Sequence, residues 1–116
     1  MLQTIDNVNM VVHDLARMTA FYVDVLGLEV TKEVTISGEW VENVVGLQGV
    51  EADVVYLELE AGPRIELIYY RHPTSPELTQ ENTAHLHGIR HLAFRVSDID
   101  SVFQRLKEAG TEFQSE

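Results

Sequence analysis

IRHLAFRVSDIDSV, residues 89–102, is a second copy of IDNVNMVVHDLARM, residues 5–18, displaced by 84 positions. Ile5 falls on Ile89, Val8 on Leu92, Met10 on Phe94, Val12 on Val96, Asp14 on Asp98, Leu15 on Ile99 and Met18 on Val102. The apolar class is kept at each matched core position, and the acid is kept where the pattern changes. In both copies apolar residues alternate with a period of two and then recur at spacings of three and four, which reads as a strand running into a helix. The change falls at Asp14 in one copy and at Ser97-Asp98 in the other, residues whose side-chain oxygens cap the free N–H groups of a first helical turn. The first helix is expected to carry Leu15, Met18, Tyr22 and Val25 and to stop at Gly27. The second is expected to carry Ile99, Val102, Phe103, Leu106 and Ala109 and to stop at Gly110. Glycine supplies the left-handed conformation past a helix end without a Cβ penalty.

Between the copies, residues 28–36, 53–60 and 64–70 are rich in Val, Ile, Leu and Tyr and read as strands, with EAGPR at 60–64 as a hairpin connection. GEWVENVVGLQGV at 38–50 places Val41, Val44 and Val45 at helical spacing between glycines, so it reads as a short helix or as a loop covering a pocket. Residues 71–87 are mostly polar, hold two of the three prolines and read as a linker. The order is βαβββ, linker, βα: an α+β chain with a complete module over 1–70 and a partial one over 88–116, together one domain.

The chain has 116 residues, 45% of them apolar and 23% charged, the composition of an ordinary globular domain. No apolar run approaches the roughly 20 residues of a membrane span. The formal charge of −11 repels a polyphosphate backbone, so nucleic acid is not an expected partner. The acids are scattered, as on a solvated surface. Without cysteine there is neither a disulfide framework nor a thiol nucleophile, and without a basic, apolar leader at the N-terminus a cytoplasmic location is expected. Neither a phosphate-binding glycine loop nor a nucleophile elbow occurs.

With VVHDLARMTAFYVDVLGLEV early and GIRHLAFRVSDIDSVFQRLKEAG late, the chain resembles the vicinal oxygen chelate superfamily, the glyoxalase, bleomycin-resistance and extradiol-dioxygenase group. The resemblance covers nearly the whole chain. It implies paired βαβββ modules whose sheets form a cup around a divalent metal, with ligands projecting from the first and last strand of each module.

Three residues stand out as candidates. On the late strand Leu92, Phe94 and Val96 take the apolar face, which leaves His91 on the other face, and imidazole suits Zn, Ni, Fe or Mn. The repeat places Asn7 where the second copy has His91; relatives commonly carry histidine there, and an amide oxygen joins hard cations such as Mg or Mn but serves zinc poorly. Glu66, in PRIELIYY, shares a face with Ile68 and Tyr70, and burying an unpaired carboxylate there is costly. It therefore needs a cation, a proton or a hydrogen-bond partner, and Arg64 and Arg95 are the alternatives to a metal. The resemblance implies that this glutamate is a ligand, or the carboxylate that moves protons. His85, His87, His13 and His72 match no ligand position and are expected to be exposed.

The family's fourth ligand is a glutamate near the end of the second module. Adding the repeat offset to Glu66 leads beyond Glu116, so the second module reads as truncated to βα, with open sheet edges and an incomplete metal site. Two readings stay open: a homodimer, with or without exchange of modules between chains, or a fragment whose remaining strands lie outside this sequence. The resemblance implies metal-dependent isomerase, epimerase or lyase chemistry on a small molecule. The alternative is a metal-free protein that sequesters an antibiotic-like molecule in a groove lined by Trp40, Tyr56, Tyr69 and Tyr70.

Overall fold

A computed structural model describes residues 1–76 and 83–114. The backbone divides into two units, Met1–Ser75 and Pro76–Glu116. Within the expected linker, residues 77–82 lie outside the described residues, as do 115–116 at the C-terminus.

The first unit runs β1 (Asn7–Val11), α1 (Leu15–Ala20), a π-helical turn (Phe21–Val25), β2 (Glu29–Ser37), α2 (Glu39–Val45), β3 (Glu51–Glu58) and β4 (Arg64–His72). The strands form one sheet in the order β1-β4-β3-β2, with β1 parallel to β4 and the other pairs antiparallel. Asp14 starts α1 as its sequence position suggests: Oδ1 accepts the Arg17 N–H at 3.1 Å. The turn that follows widens to π geometry, which the apolar spacing alone does not reveal. Gly27 then ends it at φ +81, and the Leu28 N–H returns to the Tyr22 carbonyl at 2.9 Å.

Alternation sorts the sheet residues onto two faces. Val55, Leu57, Ile65 and Leu67 pack with Tyr22 and Leu28 on the α1 face, with Met10, Leu15 and Met18 around them. Leu57 and Leu67 are 0% exposed, and fully burying such a side chain contributes about 1.5–3 kcal/mol. Ala52, Val54 and Ile68 pack with Val41 and Val50 on the other face, with Val34, Ile36, Tyr56 and Tyr70 at the margin. Segment 38–50 therefore contains a true helix. Gly38 (φ 102) and Gly46 (φ 73) bracket α2, Val41 points down onto the sheet, and Trp40 is 61% exposed.

The second unit contains α3 (Ile99–Glu108). Asp98 Oδ1 accepts the N–H groups of Asp100 and Ser101, and Oδ2 accepts the Ser101 hydroxyl at 2.7 Å. At the other end the Gly110 N–H meets the Lys107 carbonyl and the Thr111 N–H the Leu106 carbonyl, which closes the helix in a Schellman motif. The strand expected over 89–96 is not formed. Those residues join no ladder, and Leu92, Phe94 and Val96 are 38%, 39% and 37% exposed. The alternating pattern is present, but a strand also needs a neighbouring backbone to pair with, and no described segment of this unit supplies one. No helix among the described residues is long and apolar enough to cross a membrane.

Candidate functional site

Two of the three candidates share the sheet face that α2 partly covers. Asn7 is in register with Arg64, and Asn9 with Glu66, along the parallel β1–β4 pair. Asn7 and Glu66 are thus two residues out of register on adjacent strands, diagonal neighbours on one face. Glu66 is also in register with Tyr56, and Tyr56 with Lys32, so one polar row, Asn9, Glu66, Tyr56 and Lys32, crosses all four strands. The adjacent row is Val11, Ile68, Val54 and Val34. This face therefore carries a polar strip beside an apolar row whose centre, Val54 and Ile68, is buried with Val41 of α2 and whose ends, Val11 and Val34, are accessible.

The polar strip is held by named contacts. The Arg64 guanidinium lies 4.6 Å from the Tyr56 ring centroid and the Lys32 ammonium 5.9 Å from it. Arg64 Nη2 also donates to Asp6 Oδ2 at 2.8 Å, and Asn7 Nδ2 donates to the same oxygen at 2.8 Å. These two donors, Arg64 foremost, hold the Asp6 carboxyl below its ordinary value. The hydrogen bond to Asp6 raises Arg64 in turn. Burial pushes the Tyr56 hydroxyl up, and the negative charge of Glu66 adds to that shift. A hollow of about 510 Å³ lined by Thr4, Ile5, Asp6, Glu58, Pro63 and Arg64 adjoins these contacts.

Arg64 thus pairs with Asp6; among the described residues Glu66 has no ion pair, and the Tyr56 hydroxyl is the polar group that interacts with it. His91 belongs to the second unit and is exposed there, as are His85 and His87; His13 and His72 are exposed in the first. Among the described residues, no group of three or more His, Cys, Asp or Glu side chains lies close enough to hold a metal ion. The oxygen donors that the first unit places on one face, the Asn7 amide and the Glu66 carboxylate, are hard oxygens. They fit Mg²⁺ or Mn²⁺, with water completing the shell, and do not make the nitrogen- and sulfur-rich set that zinc favours.

Sequence reasoning missed Asp6, Asn9 and Lys32 as parts of this face. Alternation through Asn7 finds Asn9, and cross-strand register finds Lys32. Asp6 lies before the strand begins, and no periodicity points to it. Of the aromatic residues proposed to line a groove, Tyr56 and Tyr70 are on this face; Tyr69 has the opposite strand parity and Trp40 points outward from α2.

A family model described as the Glyoxalase/Bleomycin resistance protein/Dioxygenase superfamily matches residues 4–116. Among solved structures, a glyoxalase family protein from Bacillus cereus is similar at 28% identity and a TM-score of 0.91, with 100% of this chain and 78% of that one covered. The fosfomycin resistance protein FosX from Listeria monocytogenes is 22% identical with a TM-score of 0.62, over 100% of this chain and 77% of its own. The trypanothione-dependent glyoxalase I of Leishmania major is 18% identical with a TM-score of 0.66, over 99% and 73%. The last two likenesses carry the fold alone. No curated protein matches this chain.

Proposed function

The chain belongs to the glyoxalase/bleomycin resistance protein/dioxygenase superfamily, and from that premise we propose that it carries out isomerase-, epimerase- or lyase-type proton transfer on a small molecule. The reaction is assigned to the α2 face of the first unit, with Glu66 as the catalytic carboxylate and with Glu66 and Asn7 as ligands of a divalent cation. The observation that carries this reading is Glu66 itself: a half-buried carboxylate without an ion pair among the described residues, in a polar row beside an apolar one. Its nearby polar partner is the Tyr56 hydroxyl, a neutral group that leaves the negative charge of the carboxylate available to a cation or a substrate proton.

The chemistry that a divalent cation supplies here is neutralisation of charge on a substrate oxygen. Glu66 removes a proton from the carbon next to the carbon bearing that oxygen and returns it. Tyr56 stands across from Glu66 and supplies a hydroxyl to the same row, while Val11 and Val34, the accessible ends of the neighbouring row, meet the apolar part of the substrate. FosX from Listeria monocytogenes has been crystallised with Mn(II); for this chain the oxygen donors carry the argument. His91, in the second unit, is proposed as an imidazole donor of this protein. The chain is proposed to act as a homodimer, because Ile89, Leu92, Phe94, Val96 and Ile99 of the second unit are exposed.

A metal-free binding protein is the second reading, favoured by the lack of a three-ligand group among the described residues. One experiment separates them: metal analysis and Mn²⁺ titration of the purified chain, its Glu66→Gln and His91→Ala variants, with light scattering on each sample. Saturable Mn²⁺ binding that Glu66→Gln abolishes supports the enzyme. A dimer that takes up no metal selects the binding protein, a monodisperse monomer removes the homodimer, and unchanged metal content in His91→Ala removes His91.

A further inference from the structure

We infer that Asp6 is a positioning residue: tied to Arg64, its carboxylate holds the Asn7 amide so that the carbonyl oxygen, and not the NH2 group, is offered on the α2 face. The role this gives Asn7 toward a cation rests on the function proposed above; the orientation of the amide does not.

An asparagine side chain is nearly symmetric in shape, so its partners decide which end points where. An ionised carboxylate only accepts hydrogen bonds, so it can face the NH2 group and not the amide oxygen. Asp6 Oδ2 accepts from Asn7 Nδ2 and from Arg64 Nη2, both at 2.8 Å. The clamp is itself braced. The Asp6 carbonyl accepts the Arg64 backbone N–H at 3.0 Å, Asn7 and Arg64 are in register, and the Arg64 guanidinium rests on the Tyr56 ring at 4.6 Å. Arg64 of β4, itself resting on Tyr56 of β3, thus braces the one carboxylate that holds the amide. With its nitrogen engaged, Asn7 has an oxygen left for a ligand, diagonally across from Glu66, two residues out of register. Two oxygen donors select a hard divalent cation, Mn²⁺ or Mg²⁺, where an imidazole at the same position would favour softer metals.

Removing Asp6 also removes a negative charge near the site, which by itself weakens the binding of any cation. The test must separate the two effects. The Asn7 side-chain amide is followed by ¹⁵N NMR in the metal-free full chain and in Asp6→Ala and Asp6→Asn. Mn²⁺ affinity is then measured by electron paramagnetic resonance for the wild type, D6A, N7A and the double variant. Asp6 is exposed, and Asp6→Asn keeps its shape and an acceptor, so folding is preserved in at least that variant. The expected result is a displaced, faster-exchanging Asn7 NH2 signal in D6A that D6N largely restores. Mn²⁺ affinity should fall by about tenfold or more in D6A, the range for removing an outer partner of a ligand, with no further loss when D6A is added to N7A. An Asn7 signal unchanged in D6A overturns the clamp. An equal Mn²⁺ loss with and without Asn7 also overturns it, since Asp6 would then act through its charge alone. A displaced Asn7 signal in a chain that takes up no Mn²⁺ supports the orientation and overturns only the metal reading.

Discussion

Tyr56 and Glu66 stand opposite each other in the β3–β4 ladder, on the face that α2 partly covers. Glu66 places a carboxylate where the next row of the same face is wholly aliphatic, and the cation that a structural role would call for, Arg64, is committed to Asp6 and to the Tyr56 ring. A sheet that merely needed a second core would continue the aliphatic row.

That arrangement predicts a stability cost at the site. Glu66→Gln should leave the melting temperature unchanged or raise it, because functional carboxylates are held against the preference of the fold. Thermal denaturation followed by circular dichroism checks this. A drop of several degrees would show that Glu66 supports the sheet, and the case for it as a catalytic group would go.

The opposite face should behave as pure core. Leu67 is 0% exposed among Leu57, Ile65 and Tyr22, so Leu67→Ala removes buried methyl groups and leaves a cavity. A loss of about 2–5 kcal/mol is expected in urea unfolding. A loss well under that range would mean that the helix settles onto the sheet more freely than the close packing implies.

Period and punctuation made much of this fold legible. The alternation around Val55, Leu57, Ile65 and Leu67, the acids Asp14 and Asp98, and Gly27 and Gly110 place strands and helices close to where they form. The same alternation in Leu92, Phe94 and Val96 forecast a strand that is not formed, because alternation records which side chains share a face and not whether a neighbouring backbone is at hand. Glu66 and Asn7 were visible as anomalies within patterns. Asp6 was not, since its role depends on the tertiary approach of Arg64, 58 positions away.

Tyr22 gives an alkaline signature. Burial raises its hydroxyl above the ordinary 10.0, and the hydroxyl lies 3.5 Å from Met10 Sδ. The unfolded chain ionises first as pH rises, so this group's contribution is intact below about pH 10 and is lost above it. Tyr22→Phe should flatten the fall in stability across that window, measured by denaturant midpoints at successive pH values. An identical slope in the variant would assign the alkaline loss to other groups.

Asp98 gives the acid counterpart in the second unit. The Ser101 hydroxyl and then its backbone N–H hold this carboxyl below the ordinary 3.8. The capped state is therefore favoured above that value and loses the contribution as pH falls through the lower folded value. Asp98→Ala should lower the helical signal at neutral pH and reduce its acid dependence, while Asp98→Asn, which still accepts hydrogen bonds, should keep most of the neutral signal. Equal spectra for all three chains at pH 7 would mean that the side-chain cap does not sustain α3.

Trp40 reports on whether α2 responds to a ligand. It is the chain's single tryptophan, 61% exposed, on a seven-residue helix that is anchored to the sheet by Val41 and bracketed by Gly38 and Gly46 at positive φ. A molecule that settles on the row of Val11, Ile68, Val54 and Val34 approaches the cluster into which Val41 packs, so α2 must adjust or extend its cover. Emission from the free protein should be that of a solvated indole and open to quenching by iodide. A molecule that binds this face, shown by NMR shifts at Ile68 and Val54, should blue-shift the emission and reduce quenching. Quenching that stays constant while those shifts saturate would show that α2 is a fixed part of the floor, and the pocket would then be open on that side.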